Sequence, residues 1–276
     1  MSNIASSCKI EIRDLTLAYG SYVLMRGINM RIRRGEVFVI MGGSGCGKST
    51  LLKTMIGLKA PAQGDVLYDG RSFWHSSETE QQVTLRRFGV LFQSSALWSS
   101  MTLEENVALP LAEHTGLSSR EINDIVRLKL SLVGLKGFEG YMPAELSGGM
   151  RKRAALARAM ALDPEVLFFD EPSAGLDPVT ARRLDDLILE MRDSLGTTIV
   201  VVTHDLQSIF AIADNSMFLD GATHTMRAVG NPRELLKKSG DPYLLEFLTR
   251  GEKAVSTAVA GAALEESTVR QPALNL

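Results

Sequence analysis

Eight consecutive residues, Gly42, Gly43, Ser44, Gly45, Cys46, Gly47, Lys48 and Ser49, fit the spacing G-x-x-x-x-G-K-[ST]. Residue types at this spacing suit one task, the holding of a run of phosphates. A glycine-rich turn can curl its backbone N–H groups toward one anion, because no side chain blocks the approach and glycine tolerates positive φ. The lysine brings a charged donor to the β- and γ-phosphates, and the serine hydroxyl can ligate Mg2+. Cys46 lies inside this loop, near Lys48. Beside a lysine and a helix N-terminus its thiol is expected to be more acidic than usual and sensitive to alkylation. No partner base marks it as a nucleophile, so it reads as a small loop residue.

Two further groups end apolar runs. Leu167, Phe168 and Phe169 lead into Asp170 and Glu171. Acids after a buried strand fall at the carboxyl edge of the sheet, where ligands of open α/β sheets bind. Asp170 suits the Mg2+ shell, and Glu171 is placed to polarise a water for in-line attack on a γ-phosphate. The run Ile199, Val200, Val201 and Val202 ends in Thr203, His204 and Asp205, so His204 joins the same edge and can sense the γ-phosphate. His75, His114 and His224 have no such setting and read as surface residues. Gln93 follows Val90, Leu91 and Phe92; its amide can offer an oxygen to Mg2+ or orient a water, although a strand-end glutamine alone carries no signal.

These groups need a scaffold, and the composition allows one. The chain has 276 residues, 45% hydrophobic and 22% charged, which excludes long-range disorder and a coiled-coil rod and leaves enough surface to bury for a real core. A formal net charge of −2 gives no global drive toward nucleic acid or anionic lipid. Two cysteines, Cys8 and Cys46, cannot build a disulfide framework, which points to a reducing compartment. The apolar runs fall short of the ~20 residues of a membrane span, and the N-terminal residues lack the apolar stretch of a signal peptide.

Partial alternation over residues 9–19 predicts a half-buried strand, and a second follows at about 23–33. The continuous apolar run at 37–41 marks a buried parallel strand, with a helix from about 48 to 57 after the glycine loop. Turn residues at 61–65 and 69–70 flank a short strand, and residues 71–84 read as a polar loop entering a short helix. A strand is expected near 88–92. Between 100 and 161 helical spacing takes over, as in Ile122, Ile125, Val126, Leu130 and Val133. Strands return at 166–169 and 198–202 around a helix at about 178–195, which implies a right-handed crossover in a parallel sheet. Residues after about 251, rich in Ala, Ser and Thr, read as a mobile terminus with room for a short helix near 254–266.

Leu146, Ser147, Gly148, Gly149 and Met150 resemble the ABC signature, between the helical segment and the acidic strand. With Tyr19, the phosphate loop, Gln93, the segment Ser173 to Asp177 and His204 in matching order, the chain resembles an ABC ATPase, the nucleotide-binding subunit of an ATP-binding cassette transporter, over about residues 8–245. The resemblance implies an α/β fold: a P-loop NTPase core with a parallel-rich sheet, an N-terminal antiparallel β subdomain and an inserted helical subdomain. It divides the chain into an ABC ATPase domain over 1–250, with a RecA-like core at about 1–93 and 162–240, a helical subdomain at about 94–161, and a tail over 251–276 that contacts the partner ATPase. It implies ATP and Mg2+ as cofactors. Tyr19 would stack on adenine, a buried strand tyrosine being the alternative. Residues Gly42 to Ser49 and Thr50 would hold the phosphates, and Ser49, Gln93 and Asp170 the metal. Gln93 would couple the site to the membrane partner. Ser147, Gly148 and Gly149 would bind the γ-phosphate of ATP held by a second copy, and Asp177 would cross the dimer interface. The implied partners are a second copy, head to tail, and a separate membrane permease at the cytoplasmic face of the inner membrane.

A narrower resemblance lies in VLFQSSALWSSMTLEENVALPLAEH, MPAELSGGMRKRAALARAMALDPE and FDEPSAGLDPVT, which look like the ATPases of Mla/MCE-type systems. That implies phospholipid or other lipid as cargo and an MCE-domain protein as partner. Amino-acid importers and lipoprotein-release systems share every catalytic motif. Residues 241–248 look like the C-terminal region of the same group, with Tyr243, Leu244, Phe247 and Leu248 expected to anchor residues 241–276 on the partner ATPase. A soluble ABC ATPase acting on nucleic acid resembles tandem cassettes or carries coiled-coil inserts, unlike this chain. A regulatory module without turnover sits badly with Glu171.

Overall fold

In the computed structural model, which describes residues 8–250, strand β3 (Val37–Gly42) is buried along its whole length and divides its side chains between two cores. Val37, Val39 and Met41 face one, and Phe38 and Ile40 face the other. Such two-sided burial is why the run reads as continuous rather than alternating. Strand β7 (Val166–Asp170) does the same, with Leu167 and Phe169 on one side and Val166 and Phe168 on the other. These strands form a six-stranded sheet with β6 (Phe88–Leu91), β8 (Thr198–Val202), β9 (Asn215–Asp220) and β10 (Thr225–Gly230), in the order β10-β9-β3-β8-β7-β6. All pairings are parallel except the β9–β10 hairpin.

The second core lies under an antiparallel sheet of β1 (Cys8–Tyr19), β2 (Tyr22–Arg33), β4 (Gln63–Tyr68) and β5 (Arg71–Ser72), in the order β2-β1-β4-β5. Helix α1 (Lys48–Met55) packs there through Leu51, Leu52 and Met55. The polar segment expected over 71–84 resolves into β5, a buried Phe73 and helix α2 (Glu78–Leu85), capped by Ser77 and Glu80 in reciprocal hydrogen bonds.

The helical region contains α3 (Leu103–His114), α4 (Ser119–Leu132) and α5 (Gly148–Ala159). Thr102 with Glu105 and Ser118 with Glu121 form capping boxes on α3 and α4. The spacing at Ile122, Val126 and Leu130 is the buried stripe of α4, in one core with Val107 and Leu111 of α3 and Leu156 of α5. Helix α6 (Pro178–Leu195) links β7 to β8, and α7 (Leu206–Ile212), α8 (Pro232–Lys238) and α9 (Pro242–Leu248) follow. Among the described residues no helix is long and apolar enough to cross a membrane.

The elements β9, β10 and α9 depart from the sequence patterns. Strands β9 and β10 were not expected, although Met217, Phe218 and Leu219 followed by Asp220 and Gly221 spell a buried strand and a turn. Helix α9 carries the apolar residues that the sequence offers to a partner. Instead Leu244 and Leu248 are buried in this chain's own core, and Phe247 packs against Phe218. The helix expected near 254–266, and any contact made by residues 251–276, lie outside the described residues.

Candidate functional site

At the end of β3 the chain turns so tightly that Gly42, at φ 152°, lies against β9; a Cβ there would sit 2.4 Å from the Leu219 carbonyl oxygen. Gly45 and Gly47 also take positive φ, 75° and 99°. The loop then feeds α1, whose first residue is Lys48. Lys48 is buried, and its Nζ donates to the carbonyls of Gly42 (3.0 Å) and Gly43 (2.9 Å). One residue on, Ser49 Oγ donates to Asp170 Oδ1 at 3.0 Å, so the hydroxyl and the strand-end acid meet as the sequence suggests. Burial pushes the Asp170 carboxyl up; the Ser49 bond pulls it down and the Glu171 carboxylate raises it further.

Glu171 follows at φ 48°, in the left-handed region, with its N–H donating to the Val202 carbonyl. That turn throws its side chain toward the end of β8, where Glu171 Oε1 lies 2.8 Å from His204 Nδ1. A cleft of about 1080 Å3 gathers Tyr19, Lys48, Ser49, Gln93, Glu171 and His204. Tyr19 is 52% exposed, which removes the buried-strand alternative. Its Oη lies 3.2 Å from Thr50 Oγ1, and Lys59 Nζ sits 4.0 Å from its ring centroid.

The cleft also takes residues that the sequence patterns did not assign to it, Tyr243 and Phe247 being the expected partner anchors. Tyr22 and Leu24 come from β2, and Tyr243, Glu246 and Phe247 from α9, with Arg250 beyond it. Two expectations fail. Cys46 is 2% exposed and burial raises its thiol above the ordinary cysteine range, outweighing Lys48; the loop cysteine is neither acidic nor accessible. His224 is half-buried, not a surface residue, and its Nδ1 lies 3.0 Å from the Leu24 carbonyl, joining the β9–β10 turn to β2.

The signature residues are not in this cleft. Ser147 caps α5 by accepting from the Met150 N–H at 3.2 Å, and it lines a separate depression of about 470 Å3 with Leu176 and Thr180. Ser147 and Gly148 are exposed, whereas Gly149 is buried because α6 comes close; a Cβ there would meet Thr180 Cγ2 at 2.5 Å. Asp177 caps α6, accepting from the N–H groups of Val179 and Thr180.

Comparison with known proteins finds a matching family. Residues 25–174 match the family model for ABC transporters. The chain is similar to the intermembrane phospholipid transport system ATP-binding protein MlaF of Haemophilus influenzae, 42% identical over 243 residues, covering 88% of this chain and 90% of that protein. It is also 42% identical over 267 residues to a probable ribonucleotide transport ATP-binding protein of Mycobacterium leprae, covering 94% of this chain and 76% of that one. Among solved structures, a dimeric post-hydrolysis state of the ATP-binding cassette MJ0796 bound to ADP and Pi superposes with a TM-score of 0.72 at 28% identity, covering 80% of this chain and 98% of that one.

Proposed function

The chain belongs to the ABC transporter family of ATP-binding cassettes, and from that premise we propose that it is the ATP-hydrolysing subunit of a system moving phospholipid or another lipid between membranes. The observation that carries the mechanism is the split of the site. Tyr19, the glycine loop, Lys48, Ser49, Gln93, Glu171 and His204 line one cleft, while Ser147 and Gly148 offer a helix N-terminus elsewhere on the surface. A head-to-tail pair about a two-fold axis unites the halves, as a closed dimer requires.

In this reading Tyr19 stacks on adenine, and Gly42, Gly43, Ser44, Gly45, Cys46, Gly47 and Thr50 wrap the phosphates with backbone N–H groups. Lys48 exchanges the Gly42 and Gly43 carbonyls for the more strongly accepting β- and γ-phosphate oxygens. Ser49, Asp170 and Gln93 present oxygen atoms, the donors a hard cation takes, and the adjacency of Ser49 and Asp170 fits them to hold Mg2+. When bound, the ion offsets phosphate charge. Glu171 takes a proton from the attacking water, and His204 fixes that carboxylate from the next strand. Ser147, Gly148 and Gly149 close on the partner's γ-phosphate, and Asp177 lies at the seam. Gln93 stands at the junction of the sheet with the helical subdomain, at about 94–161, and reports the state of the site to a membrane permease supplied as a separate polypeptide. Residues 1–250 then act as one cassette, peripheral to the cytoplasmic face of an inner membrane, with an MCE-domain protein in the wider complex and no nucleic-acid partner.

The lipid cargo follows the likeness to the phospholipid transport protein; an amino-acid importer or a lipoprotein-release ATPase would use the same site residues. The test has two stages. Full-length Glu171→Gln with ATP should sediment as a dimer and the same chain without nucleotide as a smaller species. Reconstituted with its permease, the wild-type chain should drive ATP-dependent transfer of labelled phospholipid between vesicles. A nucleotide-indifferent association state opposes the split-site reading, and transfer without ATP dependence opposes the lipid reading.

A further inference from the structure

Three consecutive basic residues, Arg151, Lys152 and Arg153, lie on the first turns of α5, but the helix turns them to different surroundings. Lys152 is only 5% exposed, and among the described residues it makes no ion pair. Its Nζ instead donates to two main-chain carbonyls, that of Gln93 at 2.5 Å and that of Glu171 at 3.4 Å. A charged amine taken out of water is costly unless it is compensated, and here two carbonyls compensate it. Burial works against its charge, and the nearby Asp170 and Glu171 carboxylates work for it.

Both acceptors belong to residues that face the nucleotide cleft, and they come from different parts of the fold. Glu171 holds a positive φ of 48°, a conformation that a non-glycine residue keeps only when its surroundings hold it there. The segment after Gln93 is similar: Ser95 and Ala96 take φ of 65° and 50°, and their carbonyls accept from Arg158 of the same helix α5, at 3.2 and 2.7 Å. Helix α5 therefore grips both strand-end turns. Arg158 reaches only one of them, and Lys152 bridges both. Lys152 also lies one helical turn beyond Gly148, so a displacement of the exposed signature end moves its ammonium directly.

We propose that Lys152 is a positioning residue for hydrolysis, its buried ammonium tying the signature helix to the main chain of both Gln93 and Glu171, so that engagement of Ser147 by a partner's nucleotide sets the water-polarising carboxylate. The inference rests on the reading of Glu171 given above. Lys152 does not line the cleft; it acts through the backbone of Gln93 and Glu171, which do.

The test compares full-length wild type, Lys152→Met, Lys152→Arg and Glu171→Gln for ATP affinity, KM, kcat and Tm. Removing the ammonium should leave ATP affinity and KM within about threefold and lower kcat by about tenfold or more, the pattern of lost positioning rather than lost binding. Lys152→Arg should restore kcat to within about threefold, because a guanidinium can donate to both carbonyls. If Lys152→Met fails to fold, Lys152→Gln, whose amide is too short to bridge both carbonyls, is read in the same way. Unchanged kcat, an affinity loss that matches the kcat loss, or no rescue by arginine in a folded protein each overturns the inference. Glu171→Gln separates the two levels. Full turnover by that variant sinks the site reading itself, whereas its inactivity beside a fully active Lys152→Met sinks the role of Lys152 alone.

Discussion

Glu171 Oε1 and His204 Nδ1 are 2.8 Å apart at the carboxyl ends of neighbouring parallel strands, so the carboxylate is held from a strand other than its own. The imidazole is 67% exposed at its side chain and the carboxylate 12%, which places the histidine on the open side of the pair. Glu171→Gln should keep ATP binding and lower turnover by about 10²–10⁴-fold, the range for a lost general base. His204→Ala should cost less, because Glu171 stays in place and loses only its orienting partner. Single-turnover phosphate release checks the order, and an alanine variant slower than the glutamine variant would reverse the assignment of roles.

Lys48 presents its ammonium to two neutral carbonyls and holds them only as weakly as neutral acceptors allow. A triphosphate offers charged acceptors. Lys48→Ala should therefore weaken ATP binding by about 1.5–3 kcal/mol, roughly 10–150-fold, measured by titration calorimetry. An affinity within twofold of wild type would mean that the ammonium stays on the loop carbonyls with nucleotide bound.

The phosphate loop, the acid pair and His204 were legible because each ends an uninterrupted apolar run, and β3, β7 and β8 are strands buried on both faces. The hairpin of β9 and β10 was harder to read: β10 alternates half-buried and exposed residues at the sheet edge, so its apolar signal is diluted. Lys152 was invisible for another reason. Within a basic run the sequence cannot tell the exposed Arg151 from the buried Lys152, since only the partner packed against α5 decides which side is dry. Cys46 shows the same limit. Its neighbours predict an acidic thiol, and burial, which the sequence does not display, reverses the sign. The apolar side chains of α9 were legible as anchors but not their target, because an apolar residue carries no address.

Gly148 and Gly149 adjoin and should behave oppositely. A Cβ on Gly148 meets nothing closer than Leu176 Cδ2 at 3.9 Å, while one on Gly149 strikes Thr180 Cγ2 at 2.5 Å. Gly149→Ala should overpack the α5–α6 contact and cost about 1–3 kcal/mol. For a chain of this size that corresponds to a fall of roughly 2–4 °C in Tm per kcal/mol. Gly148→Ala should melt within about 1 °C of wild type yet impair ATP-dependent dimerisation, since the proposed dimer brings its surface to a partner's phosphate. Equal melting temperatures for the two variants would contradict the packing argument.

Cys46 makes a chemical prediction of its own. The thiol is buried and held protonated by that burial, so both access and thiolate fraction are low. Alkylation by iodoacetamide at pH 8 should be at least about tenfold slower in the native chain than in the same chain unfolded in guanidinium, followed by peptide mass spectrometry. Native-state modification at the unfolded rate would show that the loop opens on the timescale of labelling.

Asp185 on α6 accepts a hydrogen bond from Ser208 Oγ on α7 at 2.9 Å, and burial pushes its carboxyl up to about 6, with the Ser208 bond opposing and the Asp205 charge adding. The sign follows from proton uptake. As pH falls through about 6 the folded chain binds a proton here, whereas the unfolded chain waits until near the ordinary value of 3.8. Between those values the folded state binds more protons, so this group contributes more stability as pH falls and its penalty is full above pH 6. Asparagine has the shape without the charge and can still accept from Ser208. Asp185→Asn should stabilise the chain at pH 7.5 by on the order of 1–3 kcal/mol, the upper end being the full shift converted at about 1.4 kcal/mol per unit. At pH 4.5 the gain should shrink to less than half, because the native carboxyl is already neutral. Urea melts of wild type and variant at both pH values read the difference, and equal gains at the two would show that Asp185 is ionised in the folded chain throughout.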